Sequence, residues 1–264
     1  MTDAPPLPPF QLFGDADPLL VAGGHSHTAC LIIAMNEGRI DMAAQRCAVA
    51  FTSDWVPPTT DAYWDYLIEQ GAGRTIAILW SGNEHNGKFL LQQKPPFRVY
   101  DPEGTELGDE QGAWVPRAEL RALWSPSFDA LRTLVARMTP VANVLLMCTP
   151  PPKSEAVVRE ALATEPFFLE QAAQLGYDAA DLKITPEETR VAMWRILRDL
   201  LREVAETGGA TFVPVPPEAY DNRGLLLPEL DAGDVTHANG TYGGLVWSQL
   251  LHYSSPELSH QAAR

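Results

Sequence analysis

Residues 18–36 read Pro18-Leu19-Leu20-Val21-Ala22-Gly23-Gly24-His25-Ser26-His27-Thr28-Ala29-Cys30-Leu31-Ile32-Ile33-Ala34-Met35-Asn36, and the fold follows from this stretch. A short apolar run ends at glycines, and a helical pattern begins a few residues later, with Gly38 placed to cap its end. That is a strand, a tight turn and a helix. A serine at such a turn has its hydroxyl presented at the end of a sheet.

The same alternation recurs along the chain. Strands are predicted at residues 18–23, 47–52, 74–80, 143–148 and 210–213. Helices are predicted at 28–36, 60–70, within 116–138 with an interruption near Pro126, within 154–175 with a split at Pro166, at 186–206 and at 239–251. The run 74–80 is continuously apolar, which suits a strand buried on both faces. In 186–206 the residues Val191, Trp194, Leu197, Leu201 and Val204 fall on one stripe, Pro186-Glu187-Glu188 suits a first turn, and Gly208-Gly209 suits an end. Strands alternating with helices imply a three-layer α/β/α, flavodoxin-like fold around a five-stranded parallel sheet. Ligands of such sheets bind beyond the carboxyl ends of the strands. Residues 1–17, rich in proline, are expected to be a flexible leader. Residues 18–253 are expected to form a single domain, with an inserted loop at 86–115 carrying a short hairpin around Phe89 and Val99. Residues 254–264 read as a polar tail.

The chain has 264 residues, 45% of them hydrophobic and 20% charged, with a formal net charge of −15. Such a field repels nucleic acid and anionic membranes, so no nucleic-acid or membrane partner is expected. No run of apolar residues is long enough for a transmembrane helix, and the amino-terminal segment lacks the pattern of a secretory signal. A cytoplasmic location is the expectation. Cys30, Cys47 and Cys148 sit in apolar contexts and are expected to be buried free thiols.

Three segments carry side chains suited to chemistry: Gly24-His25-Ser26-His27, Ser81-Gly82-Asn83-Glu84 and Asp234-Val235-Thr236-His237. Each follows a predicted strand or lies in the loop after the last one, so the topology brings them to one edge of the sheet. Serine, asparagine, aspartate and histidine together are the parts needed for acyl transfer through a serine oxygen. Taken singly, Ser26 suits a helix N-cap, and Asn83 or Asp234 a capped turn.

In this order the segments resemble the signature blocks of the SGNH hydrolases, the GDSL-type esterases. Gly24-His25-Ser26 is similar to the family's Gly-Asp-Ser, Ser81-Gly82-Asn83-Glu84 to Gly-x-Asn-Asp, and Asp234-Val235-Thr236-His237, followed by Asn239-Gly240, to Asp-x-x-His. Thr149-Pro150-Pro151-Pro152 also resembles the family. The departures are His25 for aspartate, Ser81 for glycine and Glu84 for aspartate. The family's second block supplies an oxyanion-hole glycine, where this chain has Thr52-Ser53-Asp54.

The resemblance implies a catalytic triad of Ser26, Asp234 and His237, with an oxyanion hole from the Ser26 N–H and the Asn83 amide. Candidate substrate-binding residues are His25, Ser53, Glu84 and His85. Of His25 and His27, one is expected to point into the site and the other away. The implied reaction is hydrolysis of an ester, with a short acyl group on a carbohydrate or related small molecule as the expected substrate, and with no cofactor or metal. Transfer of the acyl group to another alcohol would use the same residues. A degenerate binding domain is an alternative motivated by the altered blocks. A second alternative is a metal-dependent phosphoesterase, because Gly24-His25-Ser26-His27 resembles a Gly-His-x-His block; in that family the block closes the chain rather than opening it.

Overall fold

The structure, a computed structural model, describes residues 10–52, 61–81, 83–101, 112–178 and 181–254. Its centre is a six-stranded sheet built from β1 (Phe10–Gly14), β2 (Leu20–Gly24), β3 (Cys47–Thr52), β4 (Thr75–Leu79), β7 (Asn143–Met147) and β8 (Thr211–Val213), in the order β1-β3-β2-β4-β7-β8. Two further strands, β5 (Phe97–Val99) and β6 (Ala113–Val115), pair separately.

The five parallel strands are those expected from sequence, and their order is that of a flavodoxin-like sheet. The expectation of a five-stranded sheet is corrected by β1, which pairs antiparallel with β3 from Phe10↔Thr52 to Gly14↔Ala48. Residues 10–14 therefore do not belong to a loose leader. The Phe10 ring packs 5.9 Å from Tyr63 and 5.7 Å from Tyr66, which anchors the edge strand on the helix beneath it. Residues 1–9, 53–60 and 255–264, including Ser53 and most of the expected tail, lie outside the described residues.

β2 and β4 are buried along their whole length, and successive side chains enter opposite cores. Leu20, Ala22, Ala77, Leu79, Leu145 and Met147 pack with α1 (Ala29–Asn36) and α9 (Gly240–Ser254) on one face. Val21, Ile76, Ile78, Val144 and Leu146 pack with α2 (Asp61–Gly71), α4 (Arg117–Trp124), α5 (Asp129–Met138) and α8 (Glu187–Gly208) on the other. This period of two explains the continuous apolar runs. The stripe expected on α8 is buried at all five positions, and Gly209 ends the helix in the left-handed region at φ 76°.

The insertion differs from the expected loop and hairpin. It opens with α3 (Glu84–Phe89), because the Asn83 carbonyl accepts the N–H groups of Asn86 and Gly87. Phe89 therefore ends a helix instead of entering a strand. Phe97 to Val99 pairs in parallel with Ala113 to Val115, a geometry that a tight hairpin turn cannot connect. A third apolar cluster joins Leu90 and Leu91 after α3, Val158 and Leu162 of α6 (Glu155–Leu162), Phe168 of α7 (Pro166–Gln174), and Val235. Val235 lies inside the Asp-x-x-His segment, so this cluster anchors that loop.

Candidate active site

The carboxyl ends of β2 and β4 are neighbours in the sheet, with Gly24 opposite Leu79. The chain leaves β2 toward one face and returns through β3 before β4, so the crevice between these two ends is the topological switch point. Gly24 allows the close approach. Its φ is 153°, and a Cβ there would stand 2.1 Å from the Leu79 carbonyl oxygen. The His25 N–H donates to that same carbonyl at 3.0 Å. Ser26 follows at once, half-buried, as the first residue of a 3-10 turn running into α1.

Across the crevice, the 234–237 turn is built locally. Asp234 Oδ1 accepts the Thr236 and His237 N–H groups, each at 2.6 Å, and Oδ2 accepts His237 Nδ1–H at 2.7 Å. Burial would raise the Asp234 pKa. The hydrogen bonds from the His237 ring, its N–H and the Thr236 N–H outweigh that, and they hold the carboxyl well below the usual carboxylate range. With Nδ1–H held by the carboxylate, Nε2 is the ring nitrogen left for chemistry. That atom is buried and has no hydrogen-bond partner among the described residues.

His27 joins the blocks. Its ring centroid is 5.6 Å from that of His237. Its Nε2 lies 3.1 Å from both the Ser81 carbonyl oxygen and Asn83 Oδ1. Both histidines beside Ser26 reach Ser81, and His27 also meets Asn83 and His237. His25, expected among the substrate contacts, is half-buried and held by packing. Its ring packs edge-on against Trp80 at 4.4 Å and Trp64 at 5.5 Å, and its Nδ1 accepts the Ser81 N–H at 3.2 Å. Burial lowers the pKa of His25 to about 4. It does the same to His27, where the nearby His237 adds to the effect.

His85, another expected substrate contact, lies in α3 and is only 1% exposed. Burial, Arg190 and His27 lower its pKa to about 3. Glu84 accepts a hydrogen bond from Ser127 Oγ at 2.7 Å, which ties the start of α3 to the turn before α5. The three cysteines are buried and free, and burial pushes each thiol up to about 12.

Sequence reasoning missed Lys153 and Arg190. Lys153 follows the triple-proline run after β7 and is 3% exposed. Its ammonium donates to the Asp234 carbonyl at 2.5 Å and to the Asp231 carboxylate, and it stands 3.6 Å from Asp234 Oδ1. Arg190, fully buried on α8, donates to the Lys153 carbonyl at 2.7 Å. The available signal was a lysine immediately after three prolines at a strand end, where the backbone is stiff and the side chain is aimed.

Among the described residues, no group of three or more His, Cys, Asp or Glu side chains is arranged to hold a metal ion. Also among the described residues, no helix is long and apolar enough to cross a membrane.

A serine after the first parallel strand, an asparagine after the third and an Asp–His pair in the last loop, on a sheet of this order, match the block arrangement noted in the sequence. The arrangement resembles that of the SGNH hydrolases. Among solved structures, the chain is similar to an acetylxylan esterase from Geobacillus stearothermophilus, at 15% identity over 90% of this chain and 94% of that one, with a TM-score of 0.44. It is also similar to a GDSL-like lipase from Bacteroides thetaiotaomicron, at 11% identity over 94% and 89%, with a TM-score of 0.43. No family model and no curated protein sequence matches the chain. Overlaps at these TM-scores decide nothing about chemistry.

Proposed function

We propose that the protein is a serine esterase in which Ser26 is the nucleophile, His237 the general base and Asp234 the residue that orients and charges the pair. The observation that carries this reading is the His237 ring: it is bonded through Nδ1 to a carboxylate and carries a buried, unpartnered Nε2. That is the state a base needs before it accepts a hydroxyl proton. Ser26 Oγ attacks the ester carbonyl while its proton passes to Nε2. The alcohol leaves with that proton, and water then releases the acid by the same route in reverse. The oxyanion is met by the Ser26 N–H, at the start of a helical turn, and by the Asn83 amide.

The substrate is an ester with a short acyl group, on a carbohydrate or related small molecule. The net charge of −15 favours neutral alcohols over polyanions.

The test compares wild type with Ser26→Ala on nitrophenyl acetate and on acetylated sugars. Turnover in the wild type that is lost in the variant supports the reading. Equal turnover in both proteins contradicts it.

A further inference from the structure

We propose that His25 and His27, the residues on either side of the nucleophile, clamp the Ser81 backbone between them, one on its N–H and one on its carbonyl, and so aim the Asn83 amide at the reacting carbonyl. This rests on the Ser26 reading above and adds two positioning residues to it.

The argument runs through donors and acceptors whose roles are fixed. A backbone carbonyl can only accept, so His27 Nε2, 3.1 Å from the Ser81 oxygen, carries a proton. The Asn83 side-chain atom at 3.1 Å from the same nitrogen must then be an acceptor. It is the amide oxygen, and the NH2 group is turned away from His27 with both N–H bonds left for another acceptor. The assignment of the amide, ordinarily ambiguous, is decided by a peptide carbonyl. On the other side, a backbone N–H can only donate, so His25 Nδ1, which receives the Ser81 N–H at 3.2 Å, is unprotonated. His25 is therefore neutral with its proton on Nε2, and His27, whose pKa burial lowers to about 4, carries its single proton on Nε2 as well.

Packing supports this. Trp64 and Trp80 fix the plane of His25. The His27 side chain is buried, and its Nδ1 has no partner among the described residues, in keeping with a ring that uses Nε2 alone. The two rings span sequence separations of 54 to 56 residues. They couple the turn that carries Ser26 to the loop that carries Asn83. Without His27, the Asn83 amide is free to rotate. A flipped amide would present its oxygen to the oxyanion, which turns stabilisation into repulsion.

The test has a kinetic arm and an arm independent of turnover. On nitrophenyl acetate, His27→Leu is expected to lower kcat by roughly ten- to a hundredfold, a share of the ~10²–10³ lost with one oxyanion donor, with KM nearly unchanged. In an Asn83→Ala background the same substitution is expected to cost nothing further. His27→Gln, whose amide can donate to the same oxygens, is expected to recover most of the loss. Full additivity of the His27 and Asn83 losses, a loss confined to KM, or a glutamine no better than leucine would overturn the proposal. In the second arm, nitrogen-15 spectra of the wild-type imidazoles at pH 7 are expected to show both rings protonated on Nε2. A proton on Nδ1 of either ring overturns the clamp whatever the activity. If the tautomers are as stated but Ser26→Ala hydrolyses as fast as wild type, the esterase reading fails and the catalytic use of the clamp with it, while the clamp itself stands.

Discussion

The two halves of the site are built in opposite ways. The Asp234–His237 side is local: one carboxylate accepts three hydrogen bonds from two residues within its own turn. Lys153 and Val235 fasten that turn to the rest of the molecule. The Ser26–Asn83 side is assembled from two strand ends more than fifty residues apart, and histidine rings make its links. The first half depends on sequence spacing. The second depends on sheet order, on a glycine that lets two strand ends meet, and on the protonation of buried imidazoles.

Breaking each half in turn gives effects of different size. His237→Ala removes the proposed base, and kcat is expected to fall by about 10⁴-fold with the fold intact; steady-state kinetics with circular dichroism on the same samples checks both parts. Asn83→Ala leaves the base untouched and is expected to cost ~10²–10³ in kcat. If both variants lost the same amount, the two halves would not be energetically distinct.

Lys153→Met reaches the local half from behind. It leaves the Asp231 carboxylate without its buried cation and removes a donor from the Asp234 carbonyl. Denaturant unfolding is expected to show a loss of about 3 kcal/mol, together with a fall in kcat as the Asp234 turn loosens. A variant as stable and as active as wild type would mean that the loop needs no tether.

The assembled half is expected to be the acid-sensitive one. His25, His27 and His85 have pKa values lowered from 6.5 to about 4, 4 and 3. Between pH 6.5 and about 4 the unfolded chain binds more protons than the folded one, so stability falls as pH falls, by up to about 1.4 kcal/mol per pH unit for each histidine. Asp234 is held low and keeps its charge throughout that window. Unfolding midpoints measured from pH 7 to pH 4.5 should drop, with a shallower slope in His27→Gln. The smallest effect is expected from Glu84→Gln, which keeps an acceptor for Ser127 and should shift stability by less than about 0.5 kcal/mol.

The same division explains what could be read in the sequence. The parallel strands and the α8 stripe follow from periodicity, which is a local property. The Asp-x-x-His turn was legible for the same reason. β1 was missed because five residues beside a proline-rich leader carry little periodic signal, and its pairing with β3 is a tertiary event. Phe89 was misplaced because the helix it ends is set by hydrogen bonds to the Asn83 carbonyl, and composition does not record those. For His25 and His27, alternation around Ser26 suggested that one ring would face the site. It did not say which, since that depends on where Trp64, Trp80 and Ser81 arrive in space. Lys153 became meaningful only once Asp231 and Asp234 were seen beside it.

The most direct test of the central claim is to locate the reactive oxygen. Wild-type protein treated with a fluorophosphonate at pH 7 should gain a single adduct by intact mass, and peptide sequencing should map it to Ser26. His237→Ala should label far more slowly. An adduct on another residue, or equal labelling without the imidazole, would contradict the account.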